Sequence, residues 1–199
     1  MYKKDFPIFT DNPDLVYLDS AATTQKPQVV IDAISDYLSH HNSNIHRGIY
    51  PIAEISEDIY HRSKTAYAKL IGANENEIIY TYNATYACNM LVQSLVHSQK
   101  LKKSDKVILW IWDHHANIVP RQIASQNIGF EIEFLNMDKN YDIDREDFEK
   151  KYDNNTKVIS LWAISNVTGT FFDISTIKKK IRSETLLVVD WSQLVGKKT

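Results

Sequence analysis

The hydrophobic residues of this chain fall into short apolar runs separated by segments with helical periodicity. Five runs are rich in β-branched and aromatic residues, and three of them are nearly continuous, as expected of strands buried on both faces of a parallel sheet. These runs are Glu77–Tyr82, Lys106–Trp112, Glu131–Leu135, Lys157–Ile164 and Thr185–Asp190. Helical patterns lie between them, at about residues 85–99, 117–127, 145–152 and 174–182. Strands that alternate with helices predict an α/β domain with a mostly parallel sheet.

Two further helices are predicted before the first strand. One begins after Pro27 and continues to about His40, and the other spans about residues 52–71. The second helix is followed by Gly72, and glycine commonly adopts the left-handed conformation that ends a helix.

The composition limits the classes of protein to which this chain could belong. The 199 residues are 43% hydrophobic and 24% charged, as in soluble globular proteins, and suffice for one buried core. The net charge is −2 with dispersed basic residues, so nucleic acid is not an implied partner. The densest basic run, Lys178–Lys180, is interpreted as a solvated helix face. No apolar run reaches the length of a membrane span, and the N-terminus is not of the secretory type. Cys88 is the single cysteine, which fits a reducing cytosol.

Polar residues follow four of the predicted strands. In open α/β sheets, ligands bind beyond the carboxyl ends of the strands, so these segments predict the floor of one site. The segments are residues 82–85, 112–117, 165–170 and 188–193.

Asp190 carries the most specific chemistry of this set. Burying a carboxylate at a strand end costs several kcal/mol unless a cation or good donors meet it. The protonated pyridinium nitrogen of pyridoxal phosphate (PLP) would be such a cation, and Gln193 could reach the phenolic oxygen of the same ring. On spacing alone, Asp190 could equally cap the following turn.

His114 and Thr85 each have two interpretations. His114 could stack on a flat cofactor and exchange protons near neutral pH, or it could be an exposed loop residue without a role. Ala84 and Thr85 open a helix, whose first amides suit a phosphate, although Thr85 could simply cap the helix. A metal site at Asp113, His114 and His115 is disfavoured because adjacent histidines rarely point at one ion, so no metal is expected.

The residues that carry a family resemblance occur in order along the chain. They are Tyr17–Ala22, Gln25–Pro27, His46–Gly48, His114–Pro120, Ser165–Val167 with Gly169-Thr170, and Val189-Asp190 with Gln193. This set resembles the class V aminotransferase family of fold-type I PLP enzymes and is most similar to the cysteine desulfurases of iron–sulfur cluster assembly. The resemblance runs from about Asp5 to Val195.

The resemblance implies a role for each matching position. Ala84 and Thr85 would bind the PLP phosphate, and His114 would stack on the ring as the catalytic histidine. Asn166 would contact the phenolic-oxygen side and the substrate. Asp190 would pair with the pyridine nitrogen and Gln193 with the phenolic oxygen. Ala22 and Arg47 would lie near the substrate.

The resemblance also implies an activity and its partners. The reaction would convert L-cysteine to L-alanine and pass persulfide sulfur to an acceptor protein, in a cytoplasmic homodimer. The alternatives are a non-catalytic class V relative and another PLP-dependent lyase or transaminase of the family. A buried apolar role is expected for Cys88.

Several positions depart from the family pattern. Asn83 replaces a glycine, Asp113 replaces a glutamate, and Trp191-Ser192 replaces a small pair. The family's cofactor-linked lysine lies a few tens of residues beyond the aspartate, so Lys197 and Lys198 come too early to be it, and the sulfur-accepting cysteine lies farther on.

These departures lead us to expect an inactive N-terminal portion of the enzyme. Residues 1–45 would form an N-terminal segment and helix, and residues 46–199 the first part of the PLP-binding major domain. Its sheet would be incomplete at the C-terminus, so that Glu77–Tyr82 has no strand neighbour and Thr185–Asp190 exposes one edge.

Overall fold

The computed structural model describes residues 2–196, which divide into two compact units on either side of the Tyr80–Thr81 bond. The boundary predicted between residues 45 and 46 stays a prediction. No helix among residues 2–196 combines the length and apolar character needed to cross a lipid bilayer.

The first unit is helical. Its α-helices are α1 (Ile8–Asp11), α2 (Gln28–Asp36) and α3 (Pro51–Ile71), with single turns of other helix types at Tyr2–Asp5, Tyr37–His41 and Glu75–Glu77. Proline at the first position of α3 costs no hydrogen bond there, and Gly72 ends the helix with φ of 70°, as the sequence predicted.

The second unit is a four-stranded parallel sheet with helices on both faces, which confirms the predicted α/β class. Its strands lie in the order β2-β1-β3-β4. In chain order the elements are α4 (Ala84–His97), β1 (Lys106–Trp110), α5 (His115–Ile128), β2 (Glu131–Leu135), α6 (Arg145–Lys151), β3 (Thr156–Trp162), α7 (Ile174–Lys178) and β4 (Leu186–Asp190).

Side-chain alternation along the strands builds a core on each face of the sheet. Val107 and Leu109 of β1 pack on one face with residues of α4 and α5, whereas Ile108 and Trp110 pack on the other face with residues of α6 and α7. On that second face Trp110 stacks on Trp162, with ring centroids 4.4 Å apart. Strands covered on both faces explain why the apolar runs in the sequence are nearly continuous.

The first predicted strand, Glu77–Tyr82, is not a strand in this structure. Glu77 ends the turn Glu75–Glu77, and the backbone at Ile78 is extended with φ of −91° and ψ of 123°. A strand needs a neighbour to satisfy its backbone groups, and β1 to β4 pair only with one another. Tyr82 is accordingly 90% exposed.

Candidate functional site

The carboxyl ends of β1, β3 and β4 lie at one edge of the sheet because all three strands run parallel. The loops that leave this edge contain His114, Asn166 and Gln193, and β4 itself ends in Asp190. Three of the four predicted segments, residues 112–117, 165–170 and 188–193, therefore lie at one edge of the sheet.

His114 begins α5 as its N-cap residue. Its Nδ1 accepts a hydrogen bond from the backbone N–H of Ala116 over 3.1 Å, which leaves the proton of the neutral ring on Nε2. The ring is exposed, whereas the next residue, His115, is the first residue of the helix proper. The backbone thus holds one edge of the His114 ring and leaves the rest of it accessible.

Asp113 precedes His114 in the chain and is 6% exposed. Its Oδ1 accepts from the His114 backbone N–H over 2.8 Å, and its Oδ2 accepts from Asn117 Nδ2. Burial raises the pKa of Asp113 to about 7, and the charge of Asp190 acts in the same direction, while the hydrogen bond from Asn117 lowers it. Asp113 is therefore a carboxyl group that titrates near neutral pH.

Asn117 connects α5 to the sheet. It is 0% exposed, and its Oδ1 accepts a hydrogen bond from Ser160 Oγ on β3 over 2.9 Å. The thiol of Cys88 on α4 lies 3.9 Å from the same oxygen. Every polar group of this amide thus has a role in a buried network that joins two helices and one strand.

Arg121 is buried one helical turn further along α5, with 1% exposure. Its Nη1 donates to the backbone carbonyl of Asn117. Burial lowers the pKa of this guanidinium, and interactions with Cys88, Asp113 and Asp190 oppose that effect. Cys88 is half-buried rather than fully buried; burial raises the pKa of its thiol, and the charge of Arg121 counteracts this.

Asp190 is half-buried, and its Oδ1 accepts two hydrogen bonds from Ser192, from the backbone N–H at 2.9 Å and from Oγ at 2.6 Å. Asp190 therefore caps the following turn, which the sequence had left open, and it does so through Oδ1. Capping and cofactor binding are compatible, because a carboxylate has two oxygens and can accept about four hydrogen bonds. Ser192, one of the departures from the family pattern, is the residue that holds the carboxylate.

Asn166 lies at an exposed position in a tight loop after β3. Ser165 Oγ accepts from the backbone N–H groups of Val167 and Thr168, and an isolated antiparallel bridge joins Ile164 to Phe171. Gln193 is half-buried in the turn after β4. The loop therefore presents Asn166 at the same edge of the sheet as Asp190.

Ala84 and Thr85 are the first two residues of α4, and both are exposed. Asn83 Oδ1 caps the helix by accepting from the Tyr86 N–H over 2.8 Å, so Asn83, not Thr85, is the N-cap residue. The first N–H groups of a helix have no partner within the helix, so those of Ala84 and Thr85 are suited to bind an anion.

Ala22 and Arg47 belong to the first unit, where both are exposed. Ala22 lies in a turn closed by its own N–H on the Asp19 carbonyl at 3.2 Å. Gly48 follows Arg47 in the chain. A Cβ added at Gly48 would lie 2.2 Å from the Ala53 Cβ, so the lack of a Cβ at this position allows the loop to approach α3.

Sequence reasoning placed Asn117 in the predicted site segment without giving it a role, and it missed Arg121 and Ser160. A signal was available for Asn117 and Arg121, because they recur with Asp113 every four residues and so share one helix face. Nothing in the sequence indicated that Ser160 would meet them. Lys197 and Lys198 lie outside the described residues. Within residues 2–196 no three His, Cys, Asp or Glu side chains are grouped in a way that could hold a metal ion.

Comparisons of the sequence with known proteins agree on one family. The Aminotransferase class-V family model matches residues 16–199. A probable cysteine desulfurase of Halalkalibacterium halodurans is 34% identical over 196 residues, which cover 96% of this chain and 48% of the relative. A probable cysteine desulfurase of Ureaplasma parvum is 37% identical over 197 residues, covering 98% of this chain and 48% of the relative. The chain thus spans about half the length of these relatives.

Solved structures show the same fold. The apo structure of the cysteine desulfurase from Thermococcus onnurineus superposes with a TM-score of 0.86 at 28% identity, over 94% of this chain and 46% of that one. The cysteine desulfurase CsdA of Escherichia coli gives a TM-score of 0.83 at 28% identity, over 96% of this chain and 48% of that one.

Proposed function

The chain belongs to the class V aminotransferase family, and on this premise we propose that it supplies the PLP-binding residues of a cysteine desulfurase. The observation that carries the proposal is the half-buried carboxylate of Asp190 at the carboxyl end of β4, held by Ser192 and flanked by His114, Asn166 and Gln193 at the same edge. The reaction would be the conversion of L-cysteine to L-alanine with transfer of sulfur to an acceptor protein.

The residues present fit this cofactor. PLP supplies an electron sink when it is bound, and this needs a proton on its ring nitrogen. Asp190 would hold that proton, since a carboxylate is the partner that a pyridinium requires and Ser192 fixes its orientation. Gln193 and Asn166 would donate to the phenolic oxygen.

His114 would form one wall of the site. Its exposed ring would stack on the cofactor, while the Ala116 N–H holds Nδ1 and keeps the proton at Nε2, where the ring can donate it or receive it back. The first amides of α4, at Ala84 and Thr85, would bind the phosphate. Ala22 and Arg47 would contact the substrate.

The chain spans about half the length of its relatives, so we propose turnover for the whole protein. We propose, again by resemblance, a cytoplasmic homodimer with L-cysteine as substrate. For the 199-residue chain, the proposal predicts that the cofactor binds, and this can be tested directly.

The test is a titration of the 199-residue chain with pyridoxamine 5′-phosphate, whose amine cannot condense with surface lysines. Binding would be followed by tryptophan fluorescence, because Trp112 and Trp191 lie beside the site. We expect Asp190→Asn to bind about tenfold more weakly, since a neutral amide cannot hold the pyridinium.

The matched control is Asp173→Asn, an exposed helix-cap aspartate at the start of α7. It should bind like the unmodified chain. Absence of binding, or equal loss in both variants, would contradict the proposal and favour the non-catalytic alternative.

A further inference from the structure

Side-chain contacts with α3 hold the stretch of residues 75–80. Within residues 2–196 this stretch pairs with no strand, so backbone pairing does not fix its position. At its start, Glu75 accepts a hydrogen bond from His61 Nδ1 of α3 over 2.6 Å. At its end, the hydroxyl of Tyr80 forms a 2.7 Å hydrogen bond with Ser63 Oγ of the same helix. The helix therefore holds the stretch at both ends.

A closed turn connects Glu75 to the residues that follow it. The side chain of Glu77 accepts a hydrogen bond from the backbone N–H of Asn74 over 2.7 Å. The backbone N–H of Ile78 donates to the carbonyl of Glu75 over 3.1 Å. The half-buried Ile78 is therefore held in place together with Glu75.

His61 lies between two carboxylates. Its Nδ1 faces Glu75, and its Nε2 lies 3.8 Å from Oε1 of Glu57. In the protonated ring each nitrogen carries a proton, so each carboxylate faces a donor and a positive charge. In the neutral ring the Nδ1–H still donates to Glu75, but Nε2 then presents a lone pair to the Glu57 carboxylate. The protonated ring is therefore held more strongly than the neutral one.

The carboxylate of Glu75 is ionised over the range in which histidines titrate. Its pKa lies below its ordinary value of 4.5, mainly because of the hydrogen bond from His61 and then because of the one from Thr65, with a smaller effect of the Lys64 charge. A lowered pKa in the folded state means that this interaction is present above the ordinary value and is lost as pH falls through the lowered one. Histidines exchange their proton between about pH 5 and pH 8, well above that limit. In this range the strength of the contact therefore follows the charge of the ring.

Three further titratable or charged groups lie close to the two carboxylates. His46, in the loop before α3, has its Nδ1 3.6 Å from Oε1 of Glu57. The ring of Tyr60 contacts the rings of His46 and His61 edge-on. Lys64 Nζ lies 5.7 Å from the centre of the Tyr60 ring. His46 thus shares one of the two carboxylates, whereas His61 pairs with both.

Other charged groups of α3 and of the turn packed against it pair with one another. Arg62 forms an ion pair with Asp58 over 2.8 Å. In the turn Tyr37–His41, His41 Nε2 lies 3.5 Å from a carboxylate oxygen of Asp36. These pairs are separate from the two carboxylates described above.

We propose that Glu57, His61 and Glu75 form a pH-sensitive clasp that holds residues 75–80 on α3. The clasp is closed while the His61 ring is protonated, and it loosens as the pH rises and the ring loses its proton. These residues connect the helical unit to the rest of the chain, so the clasp sets how firmly the start of this connection is held. The clasp lies within the first unit, and it is independent of the proposed function.

The experiment follows the δ1 methyl group of Ile78 by ¹³C NMR in the 199-residue chain between about pH 5 and pH 8.5. Methyl relaxation measures the mobility of Ile78, and the ring signals of His61 measure its titration in the same sample. The test variants are His61→Gln and Glu75→Gln. Glutamine at position 61 can donate to Glu75 but does not titrate, and glutamine at position 75 can accept from His61 but carries no charge.

We expect the mobility of the Ile78 methyl group in the unmodified chain to rise with pH, in step with the loss of the His61 proton. His61→Gln and Glu75→Gln should both lose this pH dependence. The matched controls are His46→Asn and Glu54→Gln, and both should keep it. Asparagine tolerates the left-handed backbone of His46, whose φ is 74°, and Glu54 is an exposed carboxylate of α3.

Three results would overturn the proposal. The first is a mobility of the Ile78 methyl group that does not change with pH in the unmodified chain. The second is a pH dependence that persists in His61→Gln or in Glu75→Gln. The third is its loss in His46→Asn, because His46 would then be the group that titrates.

Discussion

The amide of Asn117 on α5 accepts a hydrogen bond from Ser160 Oγ on β3 over 2.9 Å. Both side chains are wholly buried, so this bond joins a helix to the central part of the sheet. The same amide donates to Asp113, next to His114. The position of the catalytic candidate His114 thus depends on a polar contact inside the core.

Asn117→Ala should destabilise the chain by about 2–4 kcal/mol, because it leaves Ser160 and the Asp113 carboxyl group buried without their partner. The free energy of unfolding in urea measures this effect. Asn127→Ala, an exposed change on the same helix, should stay within about 0.5 kcal/mol of the unmodified chain. Similar values for the two variants would mean that the network contributes little.

The stability should depend on pH through Asp113. Burial raises its pKa in the folded state to about 7, whereas an aspartate in an unfolded chain titrates near 3.9. Between these values the folded state keeps a proton that the unfolded state has released. The free energy of unfolding therefore falls as pH rises from about 4 to about 7, and the loss is complete above that range.

Asp113→Asn should remove this dependence. Between pH 5 and pH 8 the free energy of unfolding of this variant should fall by about 2–3 kcal/mol less than that of the unmodified chain. Urea unfolding at several pH values measures the difference between the two stability curves, in which contributions common to both chains cancel. Asp173→Asn should keep the wild-type slope, since the pKa of Asp173 is lowered by hydrogen bonds from Ser175 and lies outside this range. Parallel curves for Asp113→Asn and the unmodified chain would show that Asp113 is ionised throughout.

The two adjacent histidines should differ. His114→Ala removes both the ring and the N-cap acceptor, so it should weaken cofactor binding and cost about 1 kcal/mol of stability. His114→Asn keeps a capping side chain and should lose binding alone. His115→Ala should change binding little. Fluorescence titration with pyridoxamine phosphate measures the loss of binding, and urea unfolding measures the loss of stability. Equal binding losses at His114 and His115 would show that the family alignment is wrong by one residue.

Hydrogen exchange should distinguish the extended segment from the sheet. The amides of residues 78–82 have no ladder partner and should exchange much faster than those of β1, which is paired on both sides. β4 is paired only with β3, so its outward amides should exchange at intermediate rates. Strong protection of residues 78–82 that does not depend on protein concentration would refute this assignment.

Local sequence patterns were enough to predict the order and type of most elements. Nearly continuous apolar runs predicted β1, β3 and β4, because strands covered on both faces favour apolar side chains at successive positions, and the shorter run Glu131–Leu135 predicted β2. Gly72 predicted the end of α3, since a left-handed C-cap favours a residue without a Cβ. The same local patterns predicted which residues would gather at the carboxyl edge, including His114 and Asp190.

Other features depend on contacts between segments that are distant in sequence. The run Glu77–Tyr82 has the composition of a strand, but pairing is a property of two segments, and the described chain offers it no partner. The meeting of Ser160 with the α5 residues Asp113, Asn117 and Arg121 could not be predicted, because Ser160 lies 43 residues from Asn117 in sequence. Burial of charged groups is set by which elements pack together, so the pKa of Asp113 is raised only once α5 has packed against the sheet.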